Sequence, residues 1–306
     1  MDLAWISNLL STNTTILQAS LISATISAFV AYAFRVREHR KKLIADYDHE
    51  QRKALRQIIG RSHGRLLHST NSLNYRLWNL YTNQDKGWLI AENLRRPENY
   101  YLNSFVCRFL AVFALIREFE RQAVYVDARI ASKQDLIFVK YVAALHWCMT
   151  DTELFHGLEY DTFNPVDHFF SDTLREYCEI CIGVDGEVLK ANAILELGDK
   201  VEQVFVFFQG LSATENRFRW DRLVCLHLLI ATFINSIGYP EHRTSREKLS
   251  KIAAQIRNKT ALINLVSWLP RHGLGRDSDS KKLISVCKKI YKGTGHSSLL
   301  TAGSRI

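Results

Sequence analysis

ILQASLISATISAFVAYAF, Ile16 to Phe34, carries no charged residue, and RVREHRKK follows it directly. Three readings compete for this stretch: an export signal, a core helix or a membrane span. Length decides first. Thr15 to Phe34 is 20 residues, and a helix of that size covers about 30 Å, the thickness of a bilayer's hydrocarbon core. Buried helices of soluble proteins rarely stay uncharged on every face for so long. The triplet Ala31-Tyr32-Ala33 has the small-x-small form of an export-signal cleavage site. The residues ahead of the run, however, contain Asp2 and no Lys or Arg, so the basic start of such a signal is missing. Arg35, Arg37, Arg40, Lys41 and Lys42 then follow against one acid, Glu38. Such a cluster resists translocation and holds its end of a helix in the cytoplasm. The expectation is an uncleaved single-pass span, N-terminus outside and C-terminus cytoplasmic, in a bacterial inner membrane.

Within the run, Ser20, Ser23, Ala24, Ser27, Ala28 and Ala31 recur at helical spacing and form one small-residue face. The bulkier Leu21, Ile22, Ile26, Phe29 and Val30 lie mostly away from it. Lipid tails give transmembrane helices no hydrophobic reason to pair, so they associate where small residues allow close backbone approach. This face is the candidate for self-association. The alternative is that Ser and Ala simply bond back to their own helix and face lipid.

The whole chain is 47% hydrophobic and 11% aromatic, so the residues beyond the span can bury a substantial core and are not a disordered tail. Only 4 prolines and 14 glycines argue against a turn-rich sandwich or barrel. Asn103 to Val126 places Val106, Phe109, Leu110, Phe113, Ile116 and Phe119 on one stripe, with Arg108, Arg117, Glu118 and Glu120 elsewhere. Asp135 to Met149 suggests a second stripe through Leu136, Val139, Val142, Ala143 and Trp147. Leu223 to Ile237 is apolar nearly all round, yet short and interrupted by His227 and Asn235, which suits a central buried helix. Val201 to Phe208 reads as strand or helix equally well. Pro97, Pro165, Pro240 and Pro270 are expected to punctuate helices. The fold class is all-α.

The organisation expected is a short extracytoplasmic N-terminus at 1–14, the span at 15–34, and a basic juxtamembrane helix or stalk at 35–60. A helical cytoplasmic domain follows at 61–275, then a basic amphipathic helix and flexible tail at 276–306. In the stalk, Val36, Leu43, Ile44, Tyr47, Ala54, Leu55, Ile58 and Ile59 keep rough helical spacing. They fit either a continuation of the span or the first helix of the domain. In KKLISVCKKIYKG, Leu283, Val286, Cys287 and Ile290 form an apolar stripe between Lys281, Lys282, Lys288, Lys289 and Lys292. That helix fits either anionic lipid, which rewards each nearby basic residue by about 1 kcal/mol, or the domain surface. With Arg35, Arg37, Arg40, Lys41 and Lys42, these lysines are the candidate headgroup contacts.

Charge is unevenly spread. Asp151 to Glu202 holds 13 acids and 3 bases, while Arg35 to Thr150 is net +9 and Asn216 onward net +12. The acidic middle either docks on a basic segment or forms a solvated face.

Chemistry is sparse. Cys178 and Cys181 form a close pair, but no second pair or His set completes a four-ligand zinc site. Asp151/Glu153 and Asp185/Glu187 are paired carboxylates in a segment where acids are too frequent for pairing to mean much. Arg217-Phe-Arg-Trp-Asp-Arg222 interleaves bases with aromatics, a pattern that suits single-stranded nucleic acid or a core edge equally. No cofactor and no metal is expected.

Arg222-Leu-Val-Cys-Leu-His227 resembles the Arg-x4-His signature of HEPN-type ribonucleases, helical dimers in which Arg and His promote attack of an RNA 2′-hydroxyl on the adjoining phosphate. The resemblance covers six residues, with Leu223 where that family often has a polar residue. It would make Arg222 and His227 catalytic in a membrane-tethered ribonuclease. The preferred expectation is a sensor, effector or scaffold acting by oligomerisation and partner binding. Its partners would be the bilayer, further copies of the chain and another protein, with nucleic acid a lesser candidate. A passive membrane anchor for a soluble partner is the third reading. The layout resembles that of bacterial inner-membrane proteins, some encoded with phage-defence systems, which would imply an antiviral role.

Overall fold

The computed structural model describes residues 3–91, 94, 97–124, 127 and 131–293, with side chains from residue 20 onward. The side chains of residues 15–19 and the tail after Gly293 lie outside the described residues. Among the described residues, ten α-helices run in the order α1 (Leu3–Thr82), α2 (Tyr100–Ala123), α3 (Lys133–Thr150), α4 (Ser171–Glu179), α5 (Ala191–Glu196), α6 (Glu202–Phe208), α7 (Arg219–Ile237), α8 (Arg246–Ala254), α9 (Lys259–Arg271) and α10 (Ser278–Gly293). Among the described residues there is no strand, only a single bridge between Ile182 and Val188. The class is all-α.

The chain divides into two compact units, Met1–Ala54 and Leu55–Ile306. In the first, every side chain from Ser20 to Tyr47 is exposed. Its apolar members Val36, Leu43, Ile44 and Tyr47 are exposed, whereas Leu55 is buried and Ile58 and Ile59 pack on the core of the second unit. The apolar positions expected at 35–60 therefore divide between two environments at Ala54 and Leu55.

In the second unit, α7 is the central element. Its residues are buried from Arg219 to Asn235 because α3, α8, α9 and α10 pack around it. Among the described residues it is the one helix long and apolar enough to cross a membrane, but it is 89% buried within the protein. It is a core helix, as its length and its polar residues imply. Gly238 ends it: a Cβ there would lie 2.5 Å from the Ile234 carbonyl oxygen and 3.0 Å from Leu67 Cδ1 of α1, so the close approach to backbone requires glycine.

A second layer forms where α2 meets α3, α4, α5 and α6. The stripe Val106, Phe109, Leu110, Phe113, Ile116 and Phe119 is buried as spaced. Phe109 lies 4.9 Å from Phe208 and Phe207 lies 4.6 Å from Phe169, ring centre to ring centre. Those contacts are why Glu202–Phe208, whose β-branched and aromatic content equally suggested a strand, forms a helix. Burial among helices outweighs a weak propensity.

One expectation needs correction. On α3 the buried side runs through Phe138, Tyr141, Val142, Leu145, Cys148 and Met149, while Leu136, Val139 and Ala143 are half-buried and Trp147 is 40% exposed. Pro270 lies in the last turn of α9, which ends one residue later at Arg271. The stripe of α10, Leu283, Val286 and Cys287, is buried against α7, α8 and α9, with its five lysines exposed. That stripe is occupied by the domain and is not free to lie on lipid.

Candidate functional site

Arg222 is completely buried, yet among the described residues no carboxylate pairs with it. Its Nε donates to the carbonyl of Asp167 (2.8 Å) and its Nη1 to those of Cys148 (2.7 Å) and Asp151 (2.9 Å). Its Nη2 donates to Tyr160 Oη at 2.9 Å. The guanidinium also lies 4.9 Å from the centre of the Phe155 ring. Cys148 and Asp151 stand at the C-terminus of α3, where unpaired carbonyls concentrate the negative end of the helix dipole. Arg222 therefore caps α3 from the core and pins the loop 151–170 to it.

His227 points elsewhere. It is also completely buried, with Nε2 2.9 Å from Asn74 Oδ1 of α1, its ring 5.2 Å from Tyr81, and Nδ1 without a partner. Burial, reinforced by the charge of Lys248, lowers its pKa to about 3, so it is neutral at physiological pH. Arg222 and His227 share a helix but not a space open to a substrate.

The remaining sequence candidates are also structural. Arg217 pairs with Asp167 (2.9 Å), Arg219 with Glu215 (2.6 Å), and Trp220 donates to the Gln255 carbonyl. The basic-aromatic run is thus a clasp inside the domain. Asp151 accepts from Trp268 Nε1, and Asp185 accepts from the backbone of Glu187. Cys178 and Cys181 are buried free thiols, and among the described residues no group of ligands is arranged for a metal ion. The acidic middle does dock within the chain. Glu187 pairs with Arg65 and Glu179 with Arg117 on one side, while Asp167 pairs with Arg217 and Glu153 with Arg271 on the other. Of the small face in the N-terminal unit, Ser20 to Ala31 are all exposed; the neighbouring Thr25 hydroxyl bonds back to the carbonyls of Leu21 and Ile22.

The open site of the domain is one the sequence reading passed over. Ser72 and Arg76, one turn apart on α1, face Tyr100, Ser104 and Arg108 on successive turns of α2. Arg108 Nε donates to Ser72 Oγ (2.7 Å), and Arg76 Nη2 donates to Ser104 Oγ (2.8 Å). Ser104 Oγ also accepts from Arg108 Nη1. Arg76 is buried with its Nε unpartnered and its guanidinium 4.5 Å from the Tyr101 ring centre. Burial and the charge of Arg76 push the Arg108 guanidinium below its ordinary pKa. A hydrogen bond from Arg76 lowers that of the Tyr100 phenol.

Two cavities open on this cluster. One, of about 610 Å³, lies between α1, α2 and the segment Leu189–Leu195. The other, of about 850 Å³, reaches along α1 towards Tyr239 and Lys248. His68, Ser72 and Arg108 line both. Arg76 and Arg108 carry no sequence signal because they are isolated arginines on different helices, joined only by the packing of α1 on α2. No protein-family model matches the chain, and no curated protein or solved structure matches it either.

Proposed function

We propose that the chain is a single-pass membrane-anchored sensor or scaffold, its helical domain cytoplasmic, acting by binding and assembly rather than by catalysis. One observation carries the reading. Leu21, Phe29 and Phe34 are 70%, 72% and 68% exposed, on a helical stretch whose described side chains from Ser20 to Tyr47 are all exposed. An uncovered apolar surface of that extent demands a partner, and a helix satisfies all its backbone bonds internally, as a bilayer requires. The basic cluster Arg35 to Lys42 then sets the orientation. Burial of Arg222 and His227 weighs against the ribonuclease reading.

Fractionation tests it. The full chain should stay in the membrane pellet through alkaline carbonate extraction, and a cytoplasm-only reporter fused after Ile306 should be active. Recovery in the soluble fraction would overturn the reading. Ile26→Arg places a charge in mid-span at a cost of about 3 kcal/mol. It should shift the chain to the soluble fraction while leaving the thermal unfolding of the domain unchanged.

Assembly is expected to use the face Ser20, Ser23, Ala24, Ser27, Ala28 and Ala31. Replacing Ser23 and Ser27 together with Leu keeps the segment insertable and blocks close approach. Cross-linked oligomer in membranes should fall, whereas Ile22→Leu with Ile26→Leu should leave it unaltered. Equal oligomer in both variants would reduce the N-terminal helix to a passive anchor.

A further inference from the structure

We propose that the groove between α1 and α2 binds a phosphate-bearing small molecule through Arg108, Ser72 and Ser104, with the buried Arg76 adding positive charge through its bond to Ser104. The site belongs to the unit Leu55–Ile306 and does not depend on what surrounds the N-terminal helix. Charge is out of balance there. Two guanidinium groups converge on one neutral acceptor, Ser104 Oγ. Among the described residues neither has a carboxylate partner, whereas Arg65, Arg117, Arg175, Arg217 and Arg219 all do. Holding two like charges together in a half-buried place is unfavourable unless an anion joins them. Arg76 Nε is buried and has no partner among the described residues, so the charge behind Ser104 is only partly satisfied there.

Geometry supplies the rest. Guanidinium forks match the oxygen spacing of phosphate, and serine hydroxyls can turn to donate once an anion replaces their present donors. Arg108, Ser72 and Ser104 form one wall of the 610 Å³ cavity, and Leu189, Ile194 and Leu195 supply an apolar surface to it. That volume falls in the range of small-molecule sites, in which a few convergent polar groups orient a largely apolar contact. A phosphate on an organic body of nucleoside size suits both walls. A phospholipid headgroup offers the same anion, so the test separates the two sources.

The full chain in neutral detergent should be titrated with inorganic phosphate and with adenosine monophosphate, followed by calorimetry and thermal unfolding. Both should bind and raise the unfolding temperature, AMP the more strongly. Arg108→Gln, which loses a charge-assisted contact, should weaken AMP binding by roughly 10- to 100-fold. Arg246→Gln, at an exposed arginine bonded to Ser285, should bind as the parent does. Leu195→Trp should obstruct AMP and leave inorganic phosphate binding intact, which keeps the test valid if Arg108→Gln fails to fold. Micelles doped with phosphatidylglycerol identify the source: displacement of phosphate by them without AMP binding assigns a headgroup, and AMP binding in plain detergent assigns a free metabolite. Absence of any phosphate or AMP effect, or the same effect from chloride at equal ionic strength, would overturn the proposal. So would unchanged binding in folded Arg108→Gln.

Discussion

Arg222→Ala should bring the domain to the edge of unfolding, with a loss on the order of 4 kcal/mol, comparable to breaking a buried ion pair. Three backbone carbonyls and the Tyr160 hydroxyl accept from this one side chain. Truncation strands all four in a site that water does not reach and removes the group filling it beneath Phe155. Arg222→Lys should recover only a small part. A lysine ammonium is a point donor and cannot span acceptors that a planar fork meets on several edges. Urea unfolding of the parent and both variants, at unchanged dependence on denaturant, checks this. A loss below about 1 kcal/mol in Arg222→Ala would show that the clasp contributes little net stability.

Acid should loosen the same clasp. Tyr160 Oη accepts from Arg222 and is hydrogen-bonded to His168 Nδ1, 2.9 Å away. A proton added to His168 would place a second positive charge beside the Arg222 guanidinium. Burial, then the charge of Arg222, lowers the pKa of His168 to about 4, against the opposing pull of Asp167 and Asp161. Burial also lowers His146 to about 4 and His227 to about 3, with Arg175 and Arg117 adding to it for His146 and Lys248 for His227. A histidine unfolded at about 6.5 takes up a proton that the folded state refuses. Stability is therefore whole above that value and is lost as pH falls through the window down to about 4. Each such histidine contributes up to about 1.4 kcal/mol per pH unit, so the three together reach roughly 4 kcal/mol per unit in mid-window. Urea midpoints should fall steeply between pH 6.5 and 4.5, and His168→Gln should flatten part of the slope. Constant stability from pH 7.5 to 5 would contradict the neutral state of these histidines.

Much of the architecture was legible in the sequence because α2 has two distinct sides and α7 has none. Periodicity finds the first, and length with interrupting polar residues finds the second. On α3 the method misled. That helix meets α2, α4 and α7, and His146 is buried through its bond to Ser171. Trp147 turns outward, its ring centre 6.4 Å from that of His272. Ranking residues by hydrophobicity cannot find a side decided by a hydroxyl on another helix. The stripe of α10 was visible, but which surface it met depended on α8 and α9. The arginine pair was invisible for the same reason, since only helix packing brings Arg76 to Arg108. Arg222 was noticed, but for its spacing to His227 rather than for the carbonyls it gathers.

The buried thiols give the domain a built-in map of its own breathing. Cys107, Cys148, Cys178, Cys181, Cys225 and Cys287 sit on or beside α2, α3, α4, α7 and α10, all buried and all reduced. Burial raises the pKa of Cys107 to about 11 and of Cys148, Cys181 and Cys287 to about 12, with Cys178 and Cys225 well above the ordinary value. None is a reactive thiolate in the closed protein. An alkylating reagent therefore reads how often each helix opens, and not how nucleophilic its sulfur is. Cys225 on the central helix becomes the slow clock, because exposing it requires parting the helices around α7. Cys107, beside the arginine groove, keeps time for a region of the domain that has room for a guest.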